Sequence, residues 1–141
     1  MNPNIVELNE TDYNEYLSLM NNYRKVNINM TKSEFIKIYN EIKKNSRIYV
    51  YIKNKKLVGS ITLIIEQKII NNSGKVGHIE DVYVSELYRN NGIGKQLIDF
   101  AKMYFKLEKC YKIVLFCDKH MISYYENLNF INYSNQMRFN I

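Results

Sequence analysis

Arg89-Asn90-Asn91-Gly92-Ile93-Gly94 is the segment of this chain whose residue types and spacing point most directly to chemistry. Its glycines lie just ahead of an apolar helical repeat. Free backbone amides and the positive end of a helix dipole can therefore receive phosphate oxygens. A pyrophosphate suits such a loop, and a plain helix-capping loop uses the same residues. Two phosphate motifs are excluded. A P-loop needs glycine where Arg89 stands and Ser or Thr after Lys95, where Gln96 stands. A dinucleotide fingerprint starting at Gly92 needs a small residue at Leu97. Glu80 and Asp81 form a second candidate, able to hold an ammonium group. As neighbours on a strand they are expected on opposite faces, so they do not make a paired-carboxylate site, and an interface or salt bridge is an alternative use for one of them. Tyr125 is the third: a phenol has one proton to donate and can act as an acid. Read alone it is better explained as a packing residue among Phe116, Tyr124 and Phe130. His78 and His120 lack the i,i+4 partner of helical zinc sites, so no metal is predicted, and His78 reads as a hydrogen-bonded strand residue. Cys110 and Cys117 have no CxxC spacing and read as reduced, buried thiols.

These groups need elements to hold them. Ile5 to Leu8 alternates like a short strand, and Tyr13, Tyr16, Leu17 and Met20 recur at helical spacing. Thr31-Lys32-Ser33-Glu34 has the form of a capping box, opening a helix whose apolar face is Phe35, Ile36, Ile38, Tyr39 and Ile42. Arg47 to Lys53 and Lys56 to Glu66 flank Asn54-Lys55 as a hairpin, and Asn71-Asn72-Ser73-Gly74 turns the chain into a strand from Val76 to Val84. Leu97, Ile98, Ala101 and Phe105 mark a helix after Gly94, Lys112 to Cys117 a short, wholly buried strand, Met121 to Leu128 a short helix, and Tyr133 to Ile141 a closing strand. The predicted order is β-α-α-β-β-β-α-β-α-β, in one domain spanning 1–141.

Composition narrows the class. With 46% hydrophobic residues a chain of 141 can bury one continuous core. The most apolar window, Ile61 to Ile70, is interrupted by Glu66, Gln67 and Lys68, short of the roughly 18 apolar residues a membrane span needs. The first residues show neither a basic leader nor a long apolar run, so the cytoplasm is the expected location. A net charge of +6 suits an anionic ligand. The lysines are scattered as on an ordinary solvated surface, and nucleic acid is not an expected partner.

The R-x-x-G-x-G pattern after a strand resembles the pyrophosphate loop of the GNAT N-acetyltransferases. Gly77-His78-Ile79-Glu80-Asp81-Val82-Tyr83-Val84, Cys110-Tyr111-Lys112-Ile113 and Tyr124-Tyr125-Glu126 stand in the order and spacing of the glucosamine 6-phosphate N-acetyltransferases. Glu66-Gln67-Lys68 matches as well, so the resemblance runs from about Lys56 to Phe139. It implies an α/β (α+β) fold of the GNAT kind, with a central mixed, mostly antiparallel twisted sheet flanked by helices and splayed between its fourth and fifth strands. It implies acetyl-CoA as co-substrate, held by Val82, Tyr83, Val84, Arg89, Asn90, Asn91, Gly92, Ile93, Gly94, Lys95 and Tyr125. Val82 and Val84 would offer backbone groups to the pantetheine arm, and the Val82 amide would polarise the thioester carbonyl. Tyr125 would stabilise or protonate the departing thiolate. Glu80, Asp81, Lys112 and Arg138 would take the amino sugar phosphate, with Glu80 beside the amine. The reaction is direct attack in a ternary complex, without a covalent nucleophile. A cytoplasmic homodimer with shared active sites, supplying UDP-N-acetylglucosamine, completes the expectation, with neither metal, nucleic acid nor membrane involved.

Three positions depart from the family. Phe116 stands where an acidic residue usually contacts the sugar, Asn71 where a histidine often ends the Lys-Phe-Ile-His stretch, and Asn140 where a phosphate-binding arginine falls. Arg138, two residues earlier, shares a strand face with position 140 and carries the bidentate fork that suits phosphate. Acetyl-CoA binding is untouched by these changes, whereas the acceptor is affected. Another amine, such as a polyamine, an aminoglycoside or a protein N-terminus, and a non-catalytic acyl-CoA-binding regulatory module are the competing readings.

Overall fold

Five strands hydrogen-bond in chain order, the first four antiparallel and the fifth parallel to the fourth. The structure is a computed structural model and describes residues 2–141. The strands are β1 (Ile5–Glu7), β2 (Ser46–Lys53), β3 (Lys56–Gln67), β4 (Lys75–Val84) and β5 (Cys110–Leu115). Helices α1 (Tyr13–Arg24) and α2 (Lys32–Ile42) pack on one face of the sheet and α4 (Ile93–Leu107) on the other. A single turn, α3 (Ile70–Ser73), lies in the β3–β4 connection, and α5 (Ile122–Glu126) follows β5.

Local chemistry sets most of these boundaries. The Thr31 hydroxyl accepts from the Glu34 amide at 3.3 Å while the Glu34 carboxylate accepts from the Thr31 amide at 2.7 Å, so α2 starts on the reciprocal cap its sequence predicts. Those bonds hold the Glu34 carboxyl below its ordinary range. Asn54 and Lys55 both take left-handed backbone, with φ of 51° and 62°, and close the β2–β3 hairpin with the twist the strands require. Asn71, Asn72 and Ser73 are likewise left-handed in the next connection. α1 runs past Met20 to Arg24 and ends on Lys25 at φ 52°.

The core lies on both sides of the sheet. Leu97, Ile98, Ala101 and Phe105 of α4 are fully buried against Ile61, Leu63 and Ile79. On the opposite face Tyr16, Leu19 and Met20 of α1 and Phe35 and Tyr39 of α2 cover Ile48, Val50 and Leu57. Gly77 sets how close α4 approaches β4, because a Cβ there would lie 2.5 Å from the Phe105 ring.

Three expectations are corrected. The strand β5 is not wholly buried: it is the sheet edge, so its residues are half-buried or exposed. Cys117 lies beyond its end and is exposed, while Cys110 is half-buried. No closing strand forms from Tyr133 to Ile141; that segment has no regular secondary structure and its residues are exposed.

Candidate active site

A strand that leaves its neighbour opens the site. Parallel pairing between β4 and β5 runs from Lys75 opposite Cys110 to Ile79 opposite Leu115 and then stops, while β4 continues to Val84. From Glu80 onward β4 therefore has one free edge. The cause is a bulge. Between the pairs Ser60–Tyr83 and Thr62–Glu80, β3 advances two residues and β4 three, and the extra residue, Asp81, sits at φ 46°.

The bulge overturns the expectation that Glu80 and Asp81 face opposite ways. Alternation holds only in a regular strand, and the left-handed turn at Asp81 rotates its side chain onto the α1 face. There its carboxylate meets the Arg24 guanidinium at 3.3 Å. Glu80, level with Thr62, looks toward the same helix. Both carboxylates raise the Tyr23 phenol above its ordinary value, after burial, which is the larger cause; Arg24 opposes them.

Beyond the bulge, Ser85 donates its amide to the Val58 carbonyl at 2.8 Å, so strand alternation turns the backbone groups of Val84 and Val82 to the open edge. Their side chains pack toward α4, leaving only backbone for a ligand. Tyr83 turns the other way. Its ring is buried and packs on Tyr23 at 5.1 Å, and its register opposite Ser60 faces its backbone toward β3. Tyr83 is therefore a support of the edge rather than part of it.

The glycine loop follows directly. Arg89 donates from Nε to the Val84 carbonyl at 3.1 Å, lies over the Tyr83 ring and pairs with Glu86 at 3.8 Å. Asn91 ties the loop to the carbonyls of Tyr88 and Arg89, and Asn90 is left-handed at φ 61°. Gly92 caps α4 at φ 72°, a conformation that suits glycine, and supplies no side-chain cap. The first helical bond runs from the Gln96 amide to the Gly92 carbonyl, so the amides of Ile93, Gly94 and Lys95 have no partner within the helix. Ile93 buries its side chain as the anchor of this turn, and Lys95 is paired with Asp99 one turn on. Three free amides beside an open strand edge fit a phosphate followed by an extended, amide-bearing arm.

Tyr125 completes the constellation from α5. Its ring is half-buried between Tyr124, at 5.1 Å, and Phe130, at 5.9 Å, both edge-on. Burial pushes its phenol up to about 12, with smaller contributions from Tyr124, Cys117 and Tyr23. At neutral pH it is a proton donor. His78 is the hydrogen-bonded strand residue its sequence suggested, with Nε2 2.9 Å from Glu66.

Two expected acceptor residues lie elsewhere. Lys112 is level with Val76, at the closed end of the β4–β5 pair, and Arg138 is in the exposed tail, donating from Nε to Asn140 at 2.6 Å. The strand face that residues 138 and 140 were expected to share does not form. Sequence reasoning missed Tyr23 and Arg24. The i, i+7 spacing of Tyr16 and Tyr23 was the available signal, for it extends the buried stripe of α1 by a turn. An open depression of about 570 Å³, lined by Asn21, Lys25, Tyr83, Ser85 and Glu86 among others, lies between the end of α1 and the β4–α4 connection.

The profile of the Acetyltransferase (GNAT) family matches residues 6–130. The chain belongs to that family and is an acetyl-CoA-dependent N-acetyltransferase. Its structure superposes on that of an acetyltransferase from Trypanosoma brucei with a TM-score of 0.93 at 28% identity, covering 97% of this chain and 98% of that one. Within the family it falls with the glucosamine 6-phosphate N-acetyltransferases. It is 38% identical to glucosamine 6-phosphate N-acetyltransferase 1 of Dictyostelium discoideum over 105 residues, 71% of this chain and 67% of that enzyme. The crystal structure of the Arabidopsis thaliana enzyme of the same name superposes with a TM-score of 0.88 at 29% identity, covering 96% of each chain.

Proposed function

We propose that the chain transfers the acetyl group of acetyl-CoA to the 2-amino group of glucosamine 6-phosphate by direct attack within a ternary complex. The observation that carries this reading is the free edge of β4 from Glu80 to Val84, continuous with the uncapped amides of Ile93, Gly94 and Lys95. Acetyl-CoA supplies the activated acyl group. The backbone of Val82 and Val84 orients the arm, and the Val82 amide stabilises negative charge as it develops on the carbonyl oxygen. For Val84 to take part, Arg89 must release the Val84 carbonyl, which frees its guanidinium for phosphate. Glu80 holds the amine on the α1 side of the bulge; as the carbon–nitrogen bond forms and the carbon–sulfur bond breaks, nitrogen gives its proton to water, and Tyr125 gives its proton to the leaving sulfur and regains one from solvent. Asp81 is fixed by Arg24, so its share in the acceptor site is to shape the bulge. The relatives' substrate extends the proposal to the supply of UDP-N-acetylglucosamine in the cytoplasm.

The tail supports a homodimer with shared sites. From Ile131 to Ile141 apolar residues fall on odd positions, Asn135 excepted, and polar ones on even positions, the period of a strand with one buried face. Tyr133, Met137 and Phe139 are nonetheless 92%, 91% and 90% exposed. Burying each would contribute roughly 1.5–3 kcal/mol. The outer edge of β5 has no partner in the five-stranded sheet. A second copy offers both the edge and the cover, and would carry its Arg138 toward the acceptor side of the site.

Release of CoA thiol from acetyl-CoA, with glucosamine 6-phosphate, glucosamine and spermidine as parallel acceptors, tests the reading. Turnover that requires the sugar phosphate supports it. Turnover of spermidine alone moves the chain to another amine, and acetyl-CoA binding with every acceptor silent makes it a regulatory module.

A further inference from the structure

Tyr124 has no role in the reaction as described, yet it lies against the phosphate-receiving turn. Gly94 has ordinary helical backbone, unlike Gly92, so conformation does not demand a glycine there. Space does. A Cβ on Gly94 would lie 2.7 Å from the Tyr124 hydroxyl oxygen, whereas the next ring atom, Cζ, would be at 3.8 Å, an ordinary van der Waals distance. The hydroxyl is thus seated on the bare Cα of the first turn of α4. The same residue packs edge-on against Tyr125 at 5.1 Å. None of the five residues of α5 is fully buried, and Tyr125 alone among them packs against the core cluster that holds α4. Its other ties to α4 run through the chain after it: Leu128, which is buried, and Phe130, which lies under the Lys102 ammonium at 5.0 Å.

We infer that Tyr124 is a positioning residue that locks α5 to the first turn of α4, so that the Tyr125 proton and the amides of Ile93 to Lys95 keep one fixed separation. The inference rests on the proposed roles of Tyr125 and of the glycine loop. Its physical basis is that the acid must meet the sulfur at one end of a ligand anchored at the other. A displacement of about 1 Å between the two holds costs up to about 100-fold in rate. A seat on rigid helical backbone prevents that displacement where side-chain burial does not.

The test is a double-mutant cycle on Gly94 and Tyr124, read as turnover, acetyl-CoA affinity and melting temperature. Alanine suits a helix better than glycine, so Gly94→Ala should melt no lower than wild type. It should nevertheless push the Tyr124 hydroxyl away and lower kcat by about 10-fold or more, with the calorimetric Kd for acetyl-CoA changed by less than about threefold. Adding Tyr124→Phe removes the oxygen that clashes and leaves the ring in ordinary contact with the new methyl at 3.8 Å, so the double variant should turn over faster than Gly94→Ala. A double variant no faster than Gly94→Ala overturns the inference, and so does a Gly94→Ala enzyme as fast as wild type. A Gly94→Ala enzyme with weakened acetyl-CoA binding that Tyr124→Phe does not repair also overturns it, because the glycine then serves the ligand directly. Tyr125→Phe in the same assay separates the two ideas. If it turns over as wild type does, the acid role itself is wrong; if it is slow while Gly94→Ala is not, only the coupling is. A wild-type protein that acetylates none of the amines overturns both.

Discussion

Tyr125 is a half-buried phenol whose surroundings favour its protonated form. Burial holds its phenol protonated up to about pH 12, so it can give a proton to a leaving sulfur across the physiological range and cannot act as a base there. Tyr125→Phe should therefore lower kcat by about 100-fold or more while the KM for acetyl-CoA stays close to wild type, in steady-state assays of thiol release. The sign of the pH dependence follows. Between pH 7 and 10 the wild-type kcat should show no fall attributable to this group, because its proton is lost only well above that window; a basic limb that disappears in Tyr125→Phe would contradict the assignment. Asp81 makes a different kind of demand. Its left-handed backbone is open to glycine and hostile to a β-branched residue, and its exposed pair with Arg24 contributes at most about 1 kcal/mol. Asp81→Gly should unfold in urea within about 1 kcal/mol of wild type, and Asp81→Val should lose about 1–2 kcal/mol through strain at the bulge.

Between elements, the geometry that matters is the distance from α4 to β4. That helix presents both a buried face, through Leu97, Ile98, Ala101 and Phe105, and the three unpaired amides at its start. The sheet lets it approach because residue 77 has no side chain. Gly77→Ala would drive a methyl into the Phe105 ring and should cost about 1–3 kcal/mol in denaturant unfolding, the range for overpacking a filled core. By displacing α4 against β4, it should also weaken acetyl-CoA binding, measurable by calorimetry on the folded fraction. The capping box of α2 is a separable matter. Its bonds join Thr31 and Glu34 to each other alone, so Thr31→Ala should cost roughly 1 kcal/mol of stability and leave kcat unchanged.

For the molecule as a whole, the uncommitted feature is the tail after Phe130. An exposed segment with the alternation of an amphipathic strand, in a chain with an unpaired sheet edge, predicts association. Sedimentation of the full chain should give a dimer, and a chain ending at Phe130 should sediment as a monomer while retaining acetyl-CoA affinity, since the open edge and the glycine loop lie within one chain. The acceptor should behave otherwise. Arg138→Ala, which leaves the apolar face of the tail intact, should keep the dimer and raise the KM for glucosamine 6-phosphate by about 10-fold or more, the loss of a charge-assisted contact. A full chain that sediments as a monomer yet shows phosphate-dependent turnover would remove the shared-site reading.

Much of this architecture was legible from residues close together in sequence. The Thr31–Glu34 cap, the Asn54-Lys55 turn, the start of α4 at the glycine loop and the alternation of β2, β3 and β4 each depend on interactions within a few residues, which composition and spacing report. The glycine loop from Arg89 to Lys95 was legible as a phosphate-receiving turn because a strand, a loop and a helix start are consecutive there, whereas Val82, Val84 and Tyr125 were expected only from the family resemblance. What the tertiary structure decided involves partners distant in the chain. A bulge is a mismatch between two strands, and Asp81 takes its left-handed turn through pairing with β3 and meets an arginine 57 residues away. The seat of Tyr124 on Gly94 and the lack of a partner for the C-terminal strand are of the same kind. Local sequence determines which conformation a short segment prefers, whereas the side to which a carboxylate turns, or whether a strand finds an edge, depends on which distant surfaces packing brings together.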